Sequence, residues 1–134
     1  MTKVVLITGA NSGVGLSTAK SMARLGATVV MGCRSVPKCR SAADLISAEV
    51  EDIWGSNPRV VPMKLDLASF NSIHSFADAY VNKFRRLDIL FANAGFAVAP
   101  PNGKLYTEEG FELGLGTMHL GHFLLFQRLR YTLE

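Results

Sequence analysis

The fold is decided by residues 4–15, which read VVLITGANSGVG. Residues 4–8 are a short apolar run of the kind that forms a buried strand, and a glycine-rich turn follows at once. From residue 16 to residue 25 the apolar side chains recur with helical spacing, and Gly26 then offers the left-handed conformation that ends many helices. The stretch therefore predicts a strand, a tight turn and a helix.

The same alternation of apolar runs and helical patterns continues along the chain, which predicts parallel strands joined by helical crossovers. Strands are expected at residues 4–8, 27–33, 59–65 and 87–92, and helices at residues 16–25, 37–53 and from 69 or 71 to 84. Residues 54–58 should break the second helix, residues 96–104 should form a loop, and Thr107 should open a last helical stretch. Pro62 lacks the amide hydrogen that a central strand needs, so the third strand is expected at a sheet edge.

Composition narrows the classes of function. The 134 residues are 49% hydrophobic and 19% charged, which is ordinary for one globular domain. The net charge of +3 comes from scattered Lys and Arg without a run of like charges, so no nucleic-acid partner is predicted. No apolar stretch approaches the roughly 20 residues that span a bilayer, and the first apolar run is too short for a signal peptide. We therefore predict a soluble, cytoplasmic protein without a membrane span.

The two cysteines, Cys33 and Cys39, lack the paired spacings and the accompanying histidines of a zinc site or a disulfide framework. They are expected to be reduced thiols.

The glycine-rich turn carries the strongest functional signal. Glycines between a strand and a helix let the backbone approach an anionic group closely, and the helix N-terminus then faces the negative charge. A turn of this kind without any ligand is the alternative interpretation. The predicted pyrophosphate-binding residues are Gly9, Asn11, Ser12, Gly13, Val14 and Gly15.

The end of the second strand predicts which dinucleotide is preferred. An acidic residue about 20 residues past the glycines would bind the 2′-hydroxyl of NAD, but Cys33 and Arg34 stand there. A guanidinium can bind a 2′-phosphate through charge-assisted hydrogen bonds, whereas a carboxylate would repel it. NADP(H) is therefore the predicted cofactor. Lys38 is a second candidate phosphate contact, and a solvated lysine is the equally good alternative.

The spacing Thr-Gly-x-x-x-Gly-x-Gly in residues 8–15 resembles that of the short-chain dehydrogenase/reductase family. Asp66 and Leu67 resemble the adenine-contacting turn of that family, and Asn93-Ala94-Gly95 resembles its motif beside the cofactor. The resemblance covers essentially the whole chain. It is nearest to the retinol dehydrogenase and protochlorophyllide reductase-like group, through residues 33–34, 65–69, 110–112 and 119–125.

This resemblance implies an α/β fold with a Rossmann-type, doubly wound parallel sheet. We expect four strands in the order 3-2-1-4 with helices on both faces, and NADP(H) across the carboxyl ends of strands 1 and 4. Residues 1–134 would then form a single NADP(H)-binding domain that is incomplete at its carboxyl end.

The resemblance also implies a set of catalytic groups: a Tyr that supplies a proton, a Lys four residues later, a Ser and an Asn. The three tyrosines, Tyr80, Tyr106 and Tyr131, have no Lys four residues on. Met118 stands where the family pattern has Asn before His-Leu-Gly-His-Phe, and a thioether cannot relay a proton. No catalytic residue is predicted, and whether the chain is an enzyme stays open.

Two histidines, His119 and His122, lie three residues apart on the predicted last helix. This spacing suits a metal site, but both belong to the family pattern and no third ligand is evident, so packing or surface roles are expected and no metal is predicted.

Three functions remain open. The first is the cofactor-binding half of an NADP(H)-dependent short-chain oxidoreductase, with an unassigned substrate. The second is a non-catalytic module that binds the dinucleotide or a partner, and the third is a truncated product without a function of its own. A fourth strand without a further neighbour would leave a bare edge beside an apolar last helix, which predicts a marginal or self-associating domain.

Overall fold

A computed structural model describes residues 2–54, 59–97 and 103–133. One parallel sheet contains the strands β1 (Val4–Thr8), β2 (Thr28–Cys33), β3 (Val60–Lys64) and β4 (Ile89–Phe91). Their order is β3-β2-β1-β4, which confirms the predicted order. β3 is an edge strand, as Pro62 predicted, and Pro62 faces Met31 of β2 in the register.

Helices cover both faces of the sheet. They are α1 (Gly13–Arg24), α2 (Val36–Trp54), α3 (Phe70–Phe84) and α4 (His122–Leu129), with a π-helical turn at Leu115–Gly121 and a 3-10 turn at Arg130–Thr132. Because successive strand residues point to opposite faces, Val5 and Ile7 pack with α1 and α2, whereas Leu6 packs with α3 and α4. This alternation produces two buried apolar layers on either side of one sheet.

β4 is shorter than predicted, and the segment before it is fixed by Asp88. The carboxylate of Asp88 accepts hydrogen bonds from the Arg86 guanidinium at 2.9 and 2.6 Å, from the Lys3 ammonium at 2.9 Å and from the Val4 amide at 2.8 Å. These donors hold the pKa of Asp88 well below its usual range. The backbone amide of Leu87 donates to the carbonyl of Thr132, so Leu87 lies outside the pairing of β4 with β1.

The prediction that Thr107 opens a helix is wrong. Residues 105–113 form a short hairpin in which the Thr107 amide donates to the Phe111 carbonyl at 2.8 Å. Glu108 and Glu109, which follow Thr107, bind the start of α3 instead. Ser69 donates to Glu108 at 2.6 Å, and the Phe70 amide donates to Glu109 at 2.6 Å. The helical stretch begins only after residue 112.

The prediction of reduced thiols is also corrected. Cys33 and Cys39 form a disulfide, with Cα atoms 5.9 Å apart. α2 begins at Val36, three residues after β2 ends at Cys33, so its first turn brings Cys39 back over the strand end. Both side chains are buried in the layer formed with α1 and α2.

Parts of two predicted segments, 55–58 and 98–102, lie outside the described residues. Within the described ranges, no helix has both the length and the apolar character that a bilayer crossing requires. Phe123 and Phe126 of α4 are 57% and 43% exposed, as expected of an uncovered apolar stripe. Self-association through this surface stays a prediction.

Candidate functional site

A cleft of about 580 Å³ opens where β1, β2, β3 and β4 reach their carboxyl ends. This volume is typical of small-molecule sites, and this edge is where open α/β sheets bind ligands. Of the predicted cofactor-binding residues, the cleft is lined by Gly9, Asn11, Ser12, Gly13, Val14, Arg34, Asp66, Leu67, Asn93, Ala94 and Gly95. Gly15 and Lys38 do not line it.

The glycine turn is pressed against the segment that follows β4. Gly9 has a left-handed φ of +64°, and a Cβ there would lie 2.9 Å from the Cα of Ala94. Gly15 lies behind the turn, where a Cβ would lie 2.3 Å from the carbonyl oxygen of Gly9. Gly9 therefore gives the turn its shape, and Gly15 lets α1 approach it closely.

The N-terminus of α1 has no side-chain cap. Ser12 is the N-cap residue, yet its side chain accepts no hydrogen bond from the first turn, and that turn contains no acidic residue. At α3, by contrast, Ser69 accepts from the Ser72 amide at 3.2 Å and Glu109 accepts from the Phe70 amide. The open amides of α1 lie where Ser12, Gly13 and Val14 line the cleft, which is the arrangement that binds anions.

Asn93 joins the two sides of the cleft through its side chain. Its Nδ2 donates to the carbonyl oxygen of Thr8 at 3.0 Å and to that of Gly9 at 3.4 Å. The Thr8 hydroxyl oxygen accepts from the amides of Asn93 at 3.0 Å and Ala94 at 2.9 Å. The side chain of Asn93 is therefore bound to the turn, and Ala94 and Gly95 line the cleft.

The basic residues cluster at the ends of β2 and β3. Arg34 is exposed and lines the cleft, and Lys64 donates to its carbonyl oxygen at 2.5 Å. Lys38 is exposed on the first turn of α2. Asp66 lies across the cleft with its carboxylate turned toward its own loop, where Oδ1 accepts from the Ala68 amide at 3.0 Å.

His122 contacts the segment behind the cleft, and the sequence did not predict this contact. Its Nε2 lies 2.8 Å from the Thr8 hydroxyl and its Nδ1 lies 2.8 Å from the carbonyl oxygen of Met118. Burial lowers the pKa of His122, and the Met118 carbonyl opposes that shift. His119, the other histidine of the pair, is exposed. No group of three metal-ligating side chains occurs among residues 2–54, 59–97 and 103–133.

Other cleft residues were not predicted as cofactor contacts, although two of them, Leu65 and Ala68, lie in the 65–69 motif. The additional lining residues are Gly32, Leu65, Ala68, Phe96, Lys104, Leu113 and Thr117. Thr117 is notable because its hydroxyl oxygen is buried and has no hydrogen-bond partner within the described part of the chain. Its neighbour Met118 lies over the Asn93-Ala94-Gly95 segment, since a Cβ at Gly95 would lie 3.1 Å from the Met118 sulfur.

The sheet order, the glycine turn and the cleft at the strand ends define a Rossmann-type α/β domain. Residues 3–133 match the family model described as short chain dehydrogenase. The chain belongs to that family.

Among curated proteins, retinol dehydrogenase 14 of the mouse, Mus musculus, is 44% identical over 128 residues, which cover 92% of this chain and 37% of that protein. This chain thus spans little more than a third of its length. Similar solved structures include the following two. An uncharacterised protein from Mycobacterium Paratuberculosis aligns with a TM-score of 0.80 and 38% identity, over 98% of this chain and 42% of that chain. An alcohol dehydrogenase from the archaeon Thermococcus sibiricus, complexed with 5-hydroxy-NADP, aligns with a TM-score of 0.77 and 26% identity, over 98% and 53%.

Proposed function

We propose that this chain is the cofactor-binding half of an NADP(H)-dependent short-chain oxidoreductase of the retinol dehydrogenase type. The observation that carries the proposal is Arg34, which lines the same cleft as the uncapped N-terminus of α1. A guanidinium at the end of β2 and an open helix N-terminus match the two anionic parts of NADP(H), its 2′-phosphate and its pyrophosphate. The similarity to a dehydrogenase complexed with 5-hydroxy-NADP supports the same choice.

Each part of the cofactor has residues of this chain to bind it. The first turn of α1 and the glycine turn would bind the pyrophosphate. Arg34 would bind the 2′-phosphate, and Lys38, which is close to Arg34 in sequence, would add a second contact to it. Asp66 and Leu67 would contact the adenine, and the backbone of Asn93-Ala94-Gly95 the ribose on the nicotinamide side. When bound, the dinucleotide would supply or accept the hydride.

No group in this chain is proposed as the proton donor. Tyr80 and Tyr106 are followed at the fourth position by Phe84 and Gly110, and Met118 presents a thioether where the family pattern has Asn. Met118 is also the observation that favours the second candidate function, a module that binds the dinucleotide without turning it over.

The test is calorimetric titration of the chain with NADPH and with NADH. We expect NADPH to bind more tightly, and Arg34→Ala to weaken NADPH binding about 10- to 100-fold, the loss expected for a charge-assisted contact, while leaving NADH binding nearly unchanged. Arg40→Ala is the matched control, because Arg40 is an exposed arginine of α2 outside the cleft. Equal binding of both nucleotides, or an equal loss of both in Arg34→Ala, contradicts the proposal.

A further inference from the structure

Three segments of the chain meet at one oxygen atom behind the cleft, the hydroxyl of Thr8. The amides of Asn93 and Ala94 reach it from the segment after β4, at 3.0 and 2.9 Å. The imidazole of His122 reaches it from the last helical segment, with Nε2 at 2.8 Å. Thr8 is fully buried, so these contacts are shielded from water.

The number of protons at this oxygen fixes the state of the histidine. A threonine hydroxyl has two lone pairs and one hydrogen. The Ala94 amide donates to one lone pair, and the Asn93 amide, which is shared with the Phe91 carbonyl at 2.9 Å, donates to the other. The hydrogen must therefore be donated to an acceptor, and the carbonyl oxygen of Phe91, at 3.5 Å, is much farther away than Nε2 of His122. Nε2 then carries no proton. Nδ1 carries it and donates to the Met118 carbonyl at 2.8 Å.

We infer that His122 is a positioning residue for the cofactor cleft. Through Thr8 it fixes the Asn93-Ala94-Gly95 segment against β1, and through the Met118 carbonyl it fixes the π-helical turn beside the same segment. The inference rests on the proposed function where nucleotide binding is the readout. The predicted tautomer does not depend on that function.

A histidine that merely fills space would behave differently. The lowered pKa of His122 agrees with a neutral ring, because a protonated ring would direct a second N–H toward an oxygen whose lone pairs are already used. Packing alone would accept either neutral tautomer and would tolerate an apolar side chain of similar size. The network requires an acceptor at the position of Nε2 and a donor at the position of Nδ1.

The first experiment is nitrogen-15 NMR of the histidine rings in the full chain. The chain has three histidines, His74, His119 and His122, and the spectrum of His122→Gln assigns the third by its absence. We expect His122 to show the Nδ1–H tautomer in the native chain, and we expect the Nε2 resonance to shift in Thr8→Val, which removes the hydroxyl that donates to Nε2 but keeps the shape. An Nε2–H tautomer, or an Nε2 resonance that Thr8→Val leaves unchanged, overturns the inference.

The second experiment measures NADPH affinity in matched variants. His122→Leu and Thr8→Val should each weaken binding on the order of tenfold, which corresponds to about 1.4 kcal/mol. His122→Gln, whose side-chain oxygen can accept from the hydroxyl, and Thr8→Ser, which keeps it, should restore most of the affinity. His119→Leu, on the exposed side of the same segment, should have no effect.

The double variant Thr8→Val with His122→Leu separates coupling from general damage. A shared network predicts a loss no greater than that of either single variant, whereas independent packing predicts losses that multiply. Multiplied losses, or no rescue by His122→Gln, overturn the inference. If the native chain binds neither nucleotide, the proposed function fails, and the tautomer measurement still decides the role of His122.

Discussion

Gly15→Ala separates what helix propensity predicts from what the structure predicts. Gly15 lies in the first turn of α1, and an alanine inside a helix is favoured over glycine by up to about 1 kcal/mol. Helix propensity alone would therefore favour the substitution. The structure predicts the opposite sign.

The predicted loss comes from three close contacts. A Cβ at Gly15 would lie 2.3 Å from the Gly9 oxygen, 3.0 Å from the Gly9 carbonyl carbon and 2.6 Å from Nδ2 of Asn93. The turn cannot move away easily, because the Gly9 amide donates to the Gly32 carbonyl at 2.9 Å and its α-carbon lies against Ala94. Relief of the overlap must shift backbone or break the hydrogen bonds of Asn93.

The size of the effect follows from these contributions. Overpacking costs about 1–3 kcal/mol and a lost hydrogen bond about 1 kcal/mol, offset by about 1 kcal/mol of helix propensity. We expect the free energy of unfolding to fall by about 2 kcal/mol. Urea denaturation followed by circular dichroism measures this directly.

Two control variants isolate the cause. Ser17→Ala adds helix propensity on the exposed face of α1 and should leave stability equal or slightly higher. Gly13→Ala adds a methyl group at a φ of +53° with no atom within 4 Å, so its cost is backbone strain of about 1–2 kcal/mol without displacement of the turn. If the urea concentration at the midpoint of unfolding is the same for Gly15→Ala as for the native chain, or higher, the close approach of α1 to the glycine turn is refuted.

Three further predictions concern stability. Reduction of the disulfide between Cys33 and Cys39, which closes a loop with a sequence separation of 6, should lower the free energy of unfolding by about 2 kcal/mol. In the control Cys39→Ser, the free energy of unfolding should not depend on the reductant. Two titratable thiols in the unreduced chain would contradict the bond. Thr117→Val removes a buried hydroxyl that has no partner among the described residues, so it should raise the melting temperature. Thr117→Ser keeps the hydroxyl and should not raise it. A lower melting temperature for Thr117→Val would show that the hydroxyl has a partner. Because the pKa of His122 is lowered from 6.5, the unfolded chain binds this proton first, so stability should fall as pH decreases below about 6.5 until the folded pKa is passed. Melting temperatures between pH 8 and pH 5 test this, and His122→Gln should flatten the profile whereas His119→Leu should not.

The sheet was predictable because its signals are local. In β1 the residues Val5, Leu6 and Ile7 are all buried, as expected of a strand covered on both faces, and the glycine turn follows it directly. Pro62 predicted that β3 is an edge strand, because proline has no backbone amide hydrogen to donate. Ser69 was one of two candidate caps for α3, and its side chain does accept from the Ser72 amide. Each of these predictions needed only neighbours within a few residues.

Other features were missed because a residue binds a partner that is distant in sequence. Glu108 and Glu109 look like the first turn of their own helix, but they bind Ser69 and Phe70, which are 39 residues away in sequence. His122 binds Thr8 across 114 residues, and no local pattern indicates that pair. In each case a tertiary hydrogen bond outweighs a local preference of a few tenths of a kcal/mol to about 1 kcal/mol.

The candidate site shows the same limit: the sequence indicates where α1 begins but not which side chains bind its first amides. Both α1 and α3 begin after an extended serine, Ser12 and Ser69, so the N-cap residue alone predicts two closed helix ends. Only Ser69 closes its helix, and Glu109 adds a second acceptor from a separate segment. At α1 the Ser12 side chain accepts no hydrogen bond from the first turn, and that turn contains no acidic residue. The proposed anion site therefore depends on the lack of a side-chain cap at α1 as well as on the glycine motif.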